Sequence, residues 1–195
     1  MLAGKGFSKV YNLSGGIKAW TRQVAVGPQD VGMHLFAEAA TGIDAVVVGF
    51  ALEMGLRDFY LSMQGKVANQ GTKDIFARLA EIEVLHQRQL LQLYGELSGE
   101  QPSLEEFVSR VVAPAMEGGM STMDYLDRYQ PDLNKELEVL SLAMAIEAQA
   151  LDLYLRAAEK SRDAQCRQVL QRIAEEERGH IAHLSAYIDS HAELI

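Results

Sequence analysis

Cysteine is nearly absent from this chain of 195 residues: Cys166 stands alone. One thiol cannot close an internal disulfide, and it cannot supply the thiolates of an iron–sulfur cluster or a four-cysteine rubredoxin-type iron. Cys166 therefore reads as an inert helix residue. Basic residues are outnumbered, 18 Lys and Arg against 27 Asp and Glu, for a formal net charge of −9. That balance argues against a nucleic-acid partner, which needs clustered positive charge. Long apolar runs are missing too. The first residues, MLAGKGFSKVYNLSGG, lack the apolar stretch of a signal peptide. The most apolar segment, Ala45 to Leu52, runs into Glu53, far short of a membrane span. The expectation is a cytoplasmic protein with no membrane or nucleic-acid partner. Hydrophobic residues at 48% and charged residues at 23% are ordinary for a globular chain, and the length suits one domain plus some extra.

The extra lies at the start. Lys9 to Leu13 reads as a short strand, Ser14-Gly15-Gly16 as a turn, and Ile17 to Gln23 as a turn or two of helix. A strand with one short helix cannot bury a core alone. Val24 to Gly32, with Gly27-Pro28, reads as a linker, so the expected division is 1–28 and 29–195. Beyond it, helical periodicity predicts four long helices. The first starts near Asp30 or Gly42 and ends at Val67; the second covers Lys73 to Leu97; the third Asn134 to Lys160; the fourth Asp163 to Ser190. Ser98 to Leu133 carries Pro102, Pro114, Gly118-Gly119 and Pro131, with short helices expected at Leu104 to Val112 and Thr122 to Tyr129. Short loop, long connection, short loop is the order required by an all-α four-helix bundle with a crossover between its two hairpins.

The two hairpins repeat. Glu53 and Glu147 are 94 positions apart (147 − 53), and the same offset relates Tyr60 to Tyr154, Glu83 to Glu177 and His86 to His180. It also relates Asp58 to Asp152 and Arg78 to Arg172. This is an internal duplication. Each half has one Glu on its first helix and a Glu-x-x-His on its second: Glu83-Val84-Leu85-His86 and Glu177-Arg178-Gly179-His180. Residues three apart share a helix face. The apolar stripes Phe76, Leu79, Ala80, Leu90 and Leu170, Ile173, Ala174, Leu184 make that face the core face. Four carboxylates and two imidazoles thus converge in an apolar interior. Buried like charges cost several kcal/mol each without compensation. Two divalent cations would balance four Glu. Glu and His donors suit iron or manganese better than thiolate-seeking metals. Zinc would bind as well, without redox chemistry.

The stretches ALEMGLRDFY, ARLAEIEVLH, AIEAQALDLY and RIAEEERGH resemble the rubrerythrin and ferritin-like di-iron family over roughly residues 42–190. The resemblance implies a ferritin-like bundle whose Glu53, Glu83, His86, Glu147, Glu177 and His180 hold two iron ions, with manganese, mixed metals or zinc as alternatives. It implies an oxidoreductase that delivers two electrons to peroxide or dioxygen. Ferrous-iron oxidation and handling, or a metal-binding bundle without redox turnover, are the other readings. Two departures stand out. Many rubrerythrins have a further Glu one turn beyond the third helix's ligand, where this chain has Ala150. The rubredoxin-type cysteines are missing, so an external electron-donor protein is expected. GFSKVYNLSGGIKAW resembles the last strand and helix of a rhodanese domain, without the catalytic cysteine loop. That implies a truncation or internal start in a rhodanese–ferritin-like fusion, without sulfurtransferase activity. Such a remnant needs a packing surface, and a homodimer is expected.

Other residues receive quieter readings. Tyr60 and Tyr154 lie two turns from Glu53 and Glu147 and read either as core tyrosines or as residues that hydrogen-bond a ligand carboxylate or relay an electron, the matched positions in both halves favouring a place behind the ligands. Asp58 and Asp152 point away from them. His183, His34 and His191 read as surface, Glu81, Glu175 and Glu176 as an acidic solvent face, and Met54, Met63 and Met144 as core filler.

Overall fold

The computed structural model describes residues 30–111 and 117–190, together with Ala25 and Gly27. The strand, helix and rhodanese-like motif expected before residue 25 fall outside the described residues, as does His191.

Four long helices appear, and local chemistry sets their ends. Helix α1 (Gly42–Gln64) starts on a capping box in which Thr41 and Asp44 satisfy each other's backbone amides. It stops three residues before the expected Val67. The backbone turns at Gly65, and the amides of Lys66 and Val67 both return to the Met63 carbonyl. Helix α2 (Gln70–Ser98) starts three residues earlier than expected, because the Asn69 side chain accepts from the Thr72 amide. Gly99, at φ 76°, closes it in the left-handed conformation. The crossover carries α3 (Leu104–Arg110) and α4 (Thr122–Tyr129), each begun by a Ser capping box. Helices α5 (Glu136–Lys160) and α6 (Ala164–Ser190) form the second hairpin. Among the described residues there is no strand, and no helix is long and apolar enough to cross a membrane.

Hairpin α1–α2 packs on hairpin α5–α6, with α1 beside α6 and α2 beside α5. The all-α bundle with a long central connection matches the sequence expectation. The apolar interior divides into two clusters. One gathers Phe50, Leu90, Leu93, Tyr154, Leu170 and Ile173. The other gathers Phe59, Tyr60, Phe76, Leu79, Tyr125 and Leu142. On every long helix a glutamate lies between residues of one cluster and residues of the other. Glu53 follows Phe50 and precedes Leu56; Glu83 follows Ala80 and precedes Leu90. A polar layer therefore crosses the middle of the core.

The crossover is strapped down by a glycine contact. A Cβ on Gly119, at φ 76°, would lie 2.5 Å from the Gly32 Cα, inside van der Waals distance. The segment before α1 thereby touches the turn at Glu117–Gly119.

Candidate metal centre

The polar layer consists of the six predicted residues. Glu53, Glu83, Glu147 and Glu177 are at most 3% exposed, and His86 is 7% exposed. Within each Glu-x-x-His, one helical turn sets the carboxylate against the ring: His86 Nδ1 is 2.8 Å from Glu83 Oε2, and His180 Nδ1 is 3.1 Å from Glu177 Oε2. The first helix of each hairpin adds the third donor. Glu53 Oε2 lies 3.6 Å from His86 Nδ1, and Glu147 Oε2 lies 3.2 Å from His180 Nδ1. Each half so forms its own triad, with one donor atom per residue and all donors within 4.8 Å of one another. The triads meet at their histidines, whose rings stack with centroids 3.7 Å apart.

These spacings, 2.8–3.6 Å, are close to those a coordination sphere would need. Donors held about 2.1 Å from one ion are separated from each other by roughly 3.0–3.4 Å. The electrostatics ask for the same occupant. Burial pushes the Glu147 carboxyl upward, but the hydrogen bond and charge of His180, with a hydrogen bond to Glu177, hold it below the usual carboxylate range. Burial pulls His180 down, and the Glu147 carboxylate outweighs it, leaving the imidazole above its ordinary value. Glu53 Oε2 is buried and accepts no hydrogen bond. With only the His86 ring beside it, at 3.6 Å, this buried carboxylate oxygen would be satisfied by a cation.

A family model described as Rubrerythrin matches residues 44–188. The chain belongs to the rubrerythrin family. No curated protein and no solved structure matches it. The match spans all four long helices and both triads, the same region on which the sequence motifs lie.

Around the triads this rubrerythrin-family chain departs in places from its sequence pattern. Tyr60 and Tyr154 are fully buried, Tyr60 against Phe59 and Phe76, Tyr154 edge-on to Phe36. Ala150 is buried, so no carboxylate stands one turn beyond Glu147. Asp58 is exposed and Asp152 pairs with Arg156 at 2.7 Å, away from the ligands. His34, His183, Glu81 and Glu175 are exposed as expected. Glu176 is not part of a fully solvated face. It is half-buried, burial raises its carboxyl above the usual range, and it pairs with Arg172 at 3.7 Å. Gln87 escaped the sequence reading although it lies four residues from Glu83 on the same stripe. It is buried, and its Nε2 finds no hydrogen-bond partner.

A cavity of about 640 Å³ also escaped it. It lies between α2, the start of α5 and the second half of α6, and its lining includes Glu83, His86, Glu147 and His180. The site is thus reached from one side of the bundle.

Proposed function

We propose that this protein is a di-iron oxidoreductase that reduces a peroxide or dioxygen, with Glu53, Glu83, His86, Glu147, Glu177 and His180 holding the metals. The observation that carries the reading is the pair of buried Glu-Glu-His triads meeting at His86 and His180. Two ferrous ions there would supply the two electrons of the reduction. The protein residues supply the rest. The apolar clusters on either side of the polar layer exclude water and fix the carboxylates. The Glu147 carboxylate raises the affinity of His180 for a proton against the effect of burial, and a metal bound there would compete with that proton. Tyr60 and Tyr154 pack behind the site and orient its helices. An external donor protein refills the electrons, since Cys166 is the chain's one thiol and is buried. The reading takes the chain as a homodimer.

A second reading, ferrous-iron handling, draws on Asp74 and Glu136, two carboxylates in the lining of the cavity that leads to the site. One experiment separates the readings. Protein produced with iron is assayed for metal per chain, reduced without oxygen, then mixed with peroxide in a stopped-flow spectrometer. Two irons per chain, oxidised and re-reduced over repeated cycles, support the oxidoreductase. Iron that leaves the protein after oxidation supports handling. Absence of iron binding sinks both.

A further inference from the structure

The cavity is far larger than hydrogen peroxide requires. One water occupies about 30 Å³ of liquid. Hydrogen peroxide needs roughly two such volumes, and this cavity offers about 640 Å³. Spaces of about 300–1,000 Å³ hold medium-sized organic molecules. Much of its wall is apolar, from Ile75, Leu79, Ile82, Leu85, Leu140 and Leu184, with Gln89, His183 and Tyr187 beside them. Its floor is the metal centre itself. Asp74, Arg78 and Glu136 mix both signs of charge in its lining, so no single ionic head group is selected.

The two halves of the duplication differ at this wall. At the offset of 94, Ile82 corresponds to Glu176 and Leu85 to Gly179 (176 − 82 and 179 − 85). In the second half, Arg172 reaches Glu96 at 3.4 Å and Glu176 at 3.7 Å, an ionic surface. In the first half Ile82 and Leu85 stand at the positions of Glu176 and Gly179, while Arg78 matches Arg172, and Leu85 remains 53% exposed. The cavity borders both triads, and on its first-half side Ile82 and Leu85 are apolar where the repeat has Glu176 and Gly179.

We propose that the cavity receives the apolar body of an organic hydroperoxide, whose O–O group reaches the floor between His86 and His180. This rests on the oxidoreductase reading and names its substrate class. Metals held by the two triads would supply the two electrons that break the O–O bond, and two protons from solvent would complete an alcohol and a water. The alcohol leaves through the same mouth.

Two measurements test this on the full chain. Zinc-loaded protein, which is redox-silent, is titrated with 2-phenyl-2-propanol, the alcohol formed from cumene hydroperoxide. One molecule binds per chain, and Leu184→Trp, which fills the cavity, weakens binding roughly tenfold or more, the scale at which pocket fit discriminates. Leu85→Ser, at a largely exposed position where folding is tolerant, weakens it in the same direction. In iron-loaded protein, the ratio of oxidation rates by cumene hydroperoxide and by hydrogen peroxide falls in both variants. Absence of alcohol binding to the wild type overturns the proposal, as does a rate ratio unchanged by both variants. Alcohol binding in a protein that neither peroxide oxidises overturns the oxidoreductase reading and this substrate with it. Oxidation by hydrogen peroxide without alcohol binding overturns the substrate class alone.

Discussion

His86 and His180 lie face to face, 3.7 Å between ring centroids and 7° from parallel, although each belongs to a different half of the duplicated chain. The contact joins two triads that could each hold a metal ion. Replacing either ring by Ala removes one nitrogen donor and leaves the other triad intact. His86→Ala and His180→Ala are each expected to hold roughly half the wild-type metal, as ligand loss lowers affinity at its own site. Elemental analysis after gel filtration checks this; full metal content in both variants would refute the ligand assignment.

Removing metal should cost stability in a predictable amount. An ion present at a hundredfold over its dissociation constant contributes about 2.7 kcal/mol. In a chain of this size that corresponds to roughly 5–10 °C in Tm per ion. Calorimetry with and without a chelator measures it. Glu53→Gln sharpens the test, because the sign reverses. Without metal, the substitution removes a buried carboxylate oxygen that has no hydrogen bond, so Tm rises. With metal, it removes a ligand charge, so Tm falls.

Metal affinity should rise with pH. His180 in the metal-free protein has its pKa raised above 6.5, chiefly by the Glu147 carboxylate working against burial. A metal must displace that proton, so binding releases it and strengthens as pH climbs from 6.5 through the raised value. Folding of the metal-free protein runs the other way. The stabilisation from protonated His180 is complete below 6.5 and is lost as pH rises through its folded value. Glu147, lowered below 4.5, contributes above 4.5 and loses its contribution only as pH falls through its folded value. Titration calorimetry in buffers of different ionisation enthalpy counts the released protons. Equal affinity at every pH would contradict the His180 assignment.

Gly119→Ala tests the crossover strap. A methyl group there meets the Gly32 backbone and sits at positive φ, a strain of about 1–3 kcal/mol. Urea unfolding should show a lower midpoint with an unchanged slope, while metal content per folded chain stays at the wild-type level.

Much of the centre was legible in the sequence because duplication repeats it. A single Glu83-x-x-His86 would carry little weight, but a second copy at a fixed offset, each on a core stripe, carries a great deal. The four helices were legible from apolar periodicity. Their ends shifted by a few residues, because caps decide them: Asn69 starts α2 early and Gly65 stops α1 short. Glu176 and the cavity were not legible. Whether a glutamate beside a ligand is wet, and how far α2 stands from α6, depend on distances between helices rather than on any one helix's pattern.

A pair of identical hairpins meeting as separate chains must offer the same surface twice, and every mutation strikes both copies. Joining the hairpins in one polypeptide lifts that restriction. Ile82 and Leu85, against Glu176 and Gly179, show the result: each half could accumulate its own changes while the Glu and His positions of the triads stayed matched. Fusion thereby allows one side of an equal-handed centre to become a doorway and the other a wall.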